Sequence, residues 1–211
     1  MKYVNTCVAM LAAAFSIICY SASAQNTSIV SNGKAPIPGH YVPWKPIAMK
    51  DVTNHRRVWE DITISEGKND IFGKHKTGIG LADALINGVM DGKIMPYSAI
   101  NDRFTNTLTA EEFSAIVAKN TPVTKFMIKE DSLFLNSGEI VVRILGIAPV
   151  GNFAGADGVV KEQPLFWVFY PDCRVYLSQY MAAGSYSWDD IMERRNFTGK
   201  ITKVSSNSQK K

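Results

Sequence analysis

The sequence predicts an α+β protein: an antiparallel β-meander with flanking helices, entered through an extended, proline-rich N-terminal arm. Three observations carry that prediction. β-Branched and aromatic runs cluster between Lys125 and Ile147, with turn residues between them. Segments with helical apolar stripes or helix caps lie before and after that block. Pro36, Pro38, Pro43 and Pro46 interrupt the stretch ahead of the first element and favour extended geometry.

Taken in order, the chain begins with Lys2, an apolar run from Val8 to Ile18, and the small-residue triplet Ala22-Ser23-Ala24. This is the pattern of a secretory signal peptide spanning residues 1–24 and cut between Ala24 and Gln25. The apolar run is shorter than the roughly 18–20 residues that cross a bilayer. Cys19 raises the alternative of a lipid-modified N-terminus, but Ile18 is a poor fit where a lipoprotein peptidase wants a small residue. The expected product is exported, starts near Gln25 and keeps 187 of the 211 residues, enough for one domain. It carries 22 basic against 19 acidic side chains, scattered along the chain, which does not suggest a nucleic-acid binder. Cys7 and Cys19 leave with the signal, so Cys173 cannot form an intrachain disulfide.

Residues 25–50 are read as the arm. Within it Tyr41 and Trp44 have two readings: they tuck onto their own domain, or they dock a neighbouring subunit. Residues 51–204 form the expected domain. Asp51 to Ile64 suits a helix around Val58 and Ile62 that turns strand-like at Ile62-Thr63-Ile64. Gly80 to Met90 is a helix with Leu81, Ala84, Leu85 and Val89 on one stripe, stopped by Asp91-Gly92-Lys93, and the chain then leaves extended through Tyr97. Thr109-Ala-Glu-Glu112 is a capping box that opens a helix to about Lys119, with Phe113, Ile116 and Val117 inward.

The meander follows: Lys125 to Lys129, Leu133 to Leu135 and Ile140 to Ile147, with turns at Asp131-Ser132 and Asn136-Ser-Gly138. Gly151 to Glu162 is read as a glycine-rich loop and Leu165 to Tyr170 as a strand buried on both faces. Pro171 opens a helix carrying Val175, Leu177, Tyr180 and Met181, and Ser187-Trp-Asp-Asp190 caps another that ends near Arg195. Residues 205–211 are a polar tail, expected to be flexible.

The search for chemistry returns no catalytic, cofactor-binding or metal constellation. His40, His55 and His75 lack ligand spacing, and there is neither an H-x-x-x-H pair nor a C-x-x-C. Gly73-Lys-His-Lys-Thr-Gly78 lacks the Lys-Ser or Lys-Thr of a phosphate loop, and Gly78-Ile-Gly80 lacks the third glycine of a dinucleotide site. Cys173 beside Arg174 near a helix start is a setting that can lower a thiol pKa. Asp189 and Asp190 are read as helix-capping acids rather than an acid–base pair. The candidate partner-binding residues are Tyr41, Trp44 and Phe153, the last in the glycine-rich segment.

Several segments resemble the GldN/PorN family of the type IX secretion and gliding-motility machinery. They are Arg57-Val-Trp59 with Asp61-Ile62; Leu85 to Ile94 leading to Tyr97; Asn101-Asp-Arg-Phe104; Ile128-Lys-Glu-Asp131; Val142 to Pro149; Pro164 to Trp167 with Tyr170, Pro171 and Arg174; Ser187 to Ile191; and Arg195, Phe197 and Lys203. The resemblance runs from about Tyr41 to Asn207. The chain departs from the pattern at Ser132, where the family carries an aromatic, and in ending soon after Asn207. The resemblance implies a non-enzymatic periplasmic scaffold without cofactor, held at the outer membrane by a lipoprotein of the GldK/PorK type. It further implies self-association in a ring and contact with a GldM/PorM-like shaft. Two other classes stand beside it: a periplasmic hydrolase built from scattered carboxylates and Cys173, and a peptidoglycan-binding module. Asp131-Ser132-Leu133 also matches a triplet glycosylated in exported proteins of that bacterial lineage.

Overall fold

A computed structural model describes residues 41–73, 79–154 and 158–207. The signal cleavage pair Ala24 and Gln25, His40, His75, most of the arm and the last four residues lie outside the described residues.

The strands are β1 (Val52–Thr63), β2 (Pro96–Tyr97), β3 (Val123–Leu135), β4 (Ile140–Ala154), β5 (Val160–Pro164), β6 (Trp167–Phe169), β7 (Met181–Ala183), β8 (Tyr186–Ser187) and β9 (Lys200–Asn207). The helices are α1 (Leu81–Met90), α2 (Ala110–Val117), α3 (Tyr170–Leu177) and α4 (Trp188–Glu193). The main sheet is antiparallel in the order β2-β6-β4-β3-β1-β9, with β5 against β4. β7 and β8 make a separate small hairpin. This is the expected α+β class with an antiparallel sheet.

Strand alternation gives the sheet two different faces. Val58, Glu60 and Ile62 of β1 point to one face, where Ile62 lies opposite Phe126 and Ile128 opposite Ile147. That face meets the buried stripes of the helices in one core. Phe72 sits at its centre, its ring 5.7 Å from Phe126, 5.4 Å from Trp188 and 6.1 Å from Phe197. Such offset and edge-on ring pairs each contribute about 1 kcal/mol beyond the area they bury. Arg195, just past α4 in a left-handed conformation (φ 51°), joins that helix to the sheet through Glu60 and Glu130.

Both predicted caps form. Glu112 N–H donates to Thr109 Oγ and Thr109 N–H to the Glu112 carboxylate, and Ser187 and Asp190 repeat the arrangement. α1 occupies the predicted span and ends before Gly92, whose φ of 65° suits a residue without Cβ.

Elsewhere the structure corrects the sequence reading. Asp51 to Ile64 holds a twelve-residue strand, not a helix around Val58, because Trp59 on the outer face hides the period-two pattern. Asp131-Ser132 is no turn: β3 runs straight through, and Asp131 is satisfied across the ladder by Arg57. The segment 151–162 contributes the end of β4 and most of β5, a hairpin in place of the predicted loop. Of Leu165 to Tyr170 only three residues are strand, and Tyr170 already belongs to α3. α3 turns Cys173 and Arg174 inward and leaves Val175 half-exposed, while Met181 falls in β7. The polar tail begins later than expected, since β9 pairs with β1 as far as Asn207.

Candidate functional site: an exposed groove and a buried cradle

Two clusters combine aromatic rings with arginine or lysine and carboxylates. The first lies on the outer face of the sheet. Direct cross-strand pairing sets Trp59 between Lys129 and Lys203, and Arg57 between Asp131 and Ser205. The lysine ammonium groups stand 5.8 Å (Lys129) and 4.2 Å (Lys203) from the Trp59 ring centroid, a cation–π geometry. Arg57 grips Asp131 with two hydrogen bonds, Nε to Oδ1 at 2.7 Å and Nη2 to Oδ2 at 2.9 Å. His55 Nε2 lies 2.9 Å from Asp131 Oδ1.

The loop from Ser98 to Asn106 folds over this face, closed at its base by Ser98 N–H to Asn106 O and Leu108 N–H to Pro96 O. Asp102 in the loop accepts a 2.5 Å hydrogen bond from Trp59 Nε1 and lies 3.3 Å from Lys129 Nζ. Phe104, in a left-handed conformation (φ 57°), packs its ring against Tyr97, Trp167 and Phe169 and directly over Gly146. A Cβ on Gly146 would come within 2.4 Å of that ring, so a side chain there would lift the loop. Burial works against the Asp102 carboxylate, yet the Trp59 N–H and the Lys129 ammonium hold it below its ordinary range. Burial pulls Lys129 down in turn, with Asp102 opposing.

What remains open is a groove of about 260 Å³ lined by His55, Arg57, Trp59, Asp102, Arg103, Lys129, Lys203 and Ser205. Arg57, Arg103, Lys129 and Lys203 supply four cations against two carboxylates, Asp102 and the adjoining Asp131. The groove is therefore basic.

The second cluster is a cradle beneath residues 41–44. Arg174 Nε and Nη2 donate to Asp189 Oδ1 and Oδ2 at 2.8 and 3.1 Å, and Tyr170 O–H donates to the same Oδ1 at 2.8 Å. Glu193 lies 3.3 Å from Arg174 Nη2 and accepts the Trp44 indole N–H at 2.9 Å. Trp44 itself is 8% exposed, with Arg143 stacked 4.8 Å and Arg174 5.0 Å from its ring centroid; Tyr41 stacks 4.9 Å from Arg174. Burial pushes Glu193 up to about 7 despite Arg174, with the Asp189 charge adding to the rise. Burial likewise lowers the Arg143 guanidinium, against the pull of Glu193; it is 3% exposed and its nitrogens meet no hydrogen-bond acceptor.

The fold gives each candidate residue a definite place. Trp44 packs into its own domain, and Tyr41, half-buried, stacks on the same cradle. Phe153 is not in a loop. It sits in β4 opposite Lys161, half-buried against the core. Cys173 is 1% exposed, and burial drives its thiol well above the ordinary range, the reverse of the activation that Arg174 beside it suggests in sequence. Asp190 caps α4 as expected, while Asp189 belongs to Arg174. Among the described residues no His, Cys, Asp and Glu come together in a metal-binding group, and no helix is long and apolar enough to cross a membrane. Sequence reasoning misses the groove, although Arg57, Trp59, Asp102, Phe104, Lys129, Asp131 and Lys203 all fall in the segments that carry the family resemblance.

An antiparallel-sheet α+β domain with a basic, aromatic groove on one sheet face is the class of protein that the fold and the site define. The chain belongs to the GldN family of gliding-motility-associated proteins: the family model, gliding motility associated protein GldN, matches residues 47–211. No curated protein matches the chain.

Proposed function

We propose that this protein is a non-enzymatic structural component of the type IX secretion and gliding-motility machinery. It works in the periplasm, assembles with an outer-membrane lipoprotein of the GldK/PorK type into a ring, and contacts a GldM/PorM-like shaft. The observation that carries the reading is the family match over residues 47–211, to which the signal-like N-terminus adds export. The groove supports it as well, because segments scattered from Arg57 to Lys203 converge there without forming a catalytic set. A ring needs separate complementary patches on each subunit, and an exposed basic groove is one such patch.

The test is affinity purification of the tagged protein from detergent-solubilised envelopes, with gliding and cargo export scored in a deletion strain. The lipoprotein is expected to co-purify, and both gliding and export to fail in the deletion. Recovery of free monomer alone, together with normal export, overturns the reading.

A further inference from the structure

The groove opens onto the edge of the sheet. Among the described residues β9 pairs only with β1, so its other edge presents unpaired backbone groups beside the groove. Such an edge accepts an added strand, whose main-chain hydrogen bonds supply affinity and whose alternate side chains supply specificity. The strands at the opposite side of the sheet are shorter: β2 has two residues, with Tyr97 already bridged to Thr107, and β5 has five, against eight in β9.

Side-chain alternation along β9 describes the strand that fits. Lys203 and Ser205 line the groove, beside Trp59 and Arg57 respectively. Val204 points to the other face, and the register shift between Trp59 and Glu60 puts Ile201 there too; these two are 51% and 60% exposed. A strand laid against β9 sets every second side chain beside Lys203 and Ser205, over the surplus positive charge, and the intervening ones beside Val204 and Ile201. A second β9 is the poorer match, because it would add another Lys203 over a groove that already carries surplus positive charge. We infer that the β9 edge and the adjoining groove bind an extended acidic segment of a partner protein, with acidic and apolar residues alternating, as an added strand. The inference rests on reading the outer face as a contact surface and names the chemistry of what it contacts.

The probe is an eight-residue blocked peptide alternating Glu and Val, titrated into the mature protein while amide exchange is followed. Protection of the amides of residues 200–205 is expected. A Lys–Val peptide should bind at least ~10-fold more weakly, and Lys203→Glu, which balances the groove's charges, should abolish that preference. Arg103→Glu, in an exposed loop, provides a second charge reversal that spares the Trp59 stack and should weaken the Glu–Val peptide in the same direction. Equal binding of both peptides, or binding without protection of β9, overturns the inference. So does concentration-dependent protection of β9 without peptide, which would make a second copy the occupant. A photo-crosslinker at position 203 in living cells separates the two levels: crosslinks to another protein without β9 protection refute strand addition alone, and absence of crosslinks refutes the contact surface itself.

Discussion

The buried cradle and the exposed groove use the same parts, an indole between two cations with carboxylates beside them, and differ in how much water reaches them. In the cradle Arg174, Asp189 and Tyr170 are bound to one another, and burial leaves the Glu193 carboxyl near 7. In the groove the carboxylates Asp102 and Asp131 are engaged, yet the surplus charge of Lys203 and Arg103 stands in solvent. Buried ion pairs are strongly destabilising to break, whereas solvent screens exposed ones to near nothing. One arrangement therefore holds residues 41–44 to the domain, and the other leaves charge in solvent.

The largest effect that can break this comparison is expected at Arg174. Arg174→Met leaves Asp189 buried without its cation and should cost about 3–5 kcal/mol in denaturant unfolding. A loss below about 1 kcal/mol, the range of a solvent-screened pair, would mean that the cradle is as screened as the groove. Next comes Glu193. Its folded pKa lies above its unfolded one, so the native state binds the proton more tightly. Its contribution is full below about 4.5 and is lost as pH rises through about 7. Glu193→Gln, which keeps an acceptor for the Trp44 N–H, should remove that dependence and gain about 2 kcal/mol over the parent protein at pH 8. Unfolding curves from about pH 4 to 8 check both the sign and the window.

Trp59→Phe keeps an aromatic ring, though a smaller one, and removes the N–H that donates to Asp102, and should cost about 1.5–2 kcal/mol. Faster amide exchange across residues 98–106, with β9 unchanged, would place the loss in the loop. The smallest effect is expected from Lys203→Glu and Arg103→Glu, which should leave stability within about 0.5 kcal/mol while gliding and export fall. If either destabilises as Arg174→Met does, groove and cradle are not different in kind.

What the sequence makes legible depends on distance along the chain. The caps at Thr109 and Ser187 and the α1 stripe are set by near neighbours in sequence, and the structure contains each of them where the pattern predicts it. Asp131-Ser132 resembles a turn because Arg57, which satisfies Asp131, lies 74 residues away. Trp59, Asp102 and Lys129 each look ordinary in their own segments; only the β1–β3 register and the fold-back of the 98–106 loop bring them together. Cys173 misleads for a related reason. Its neighbour Arg174 is visible in the sequence, but the burial that raises the thiol and the Asp189 that occupies the guanidinium are not.

The pairing of β1 with β9 carries a consequence for how the chain comes to be folded. Val58 meets Val204 across nearly the whole length of the domain, so the last strand completes a sheet begun by the first. Contacts this remote in sequence form slowly, because a long loop must close before they repay its entropy. Until the C-terminal strand has emerged, β1 has no partner on that side and the groove has no Lys203. A chain made from its N-terminus therefore cannot complete this sheet, or the groove beside it, until its last strand is present.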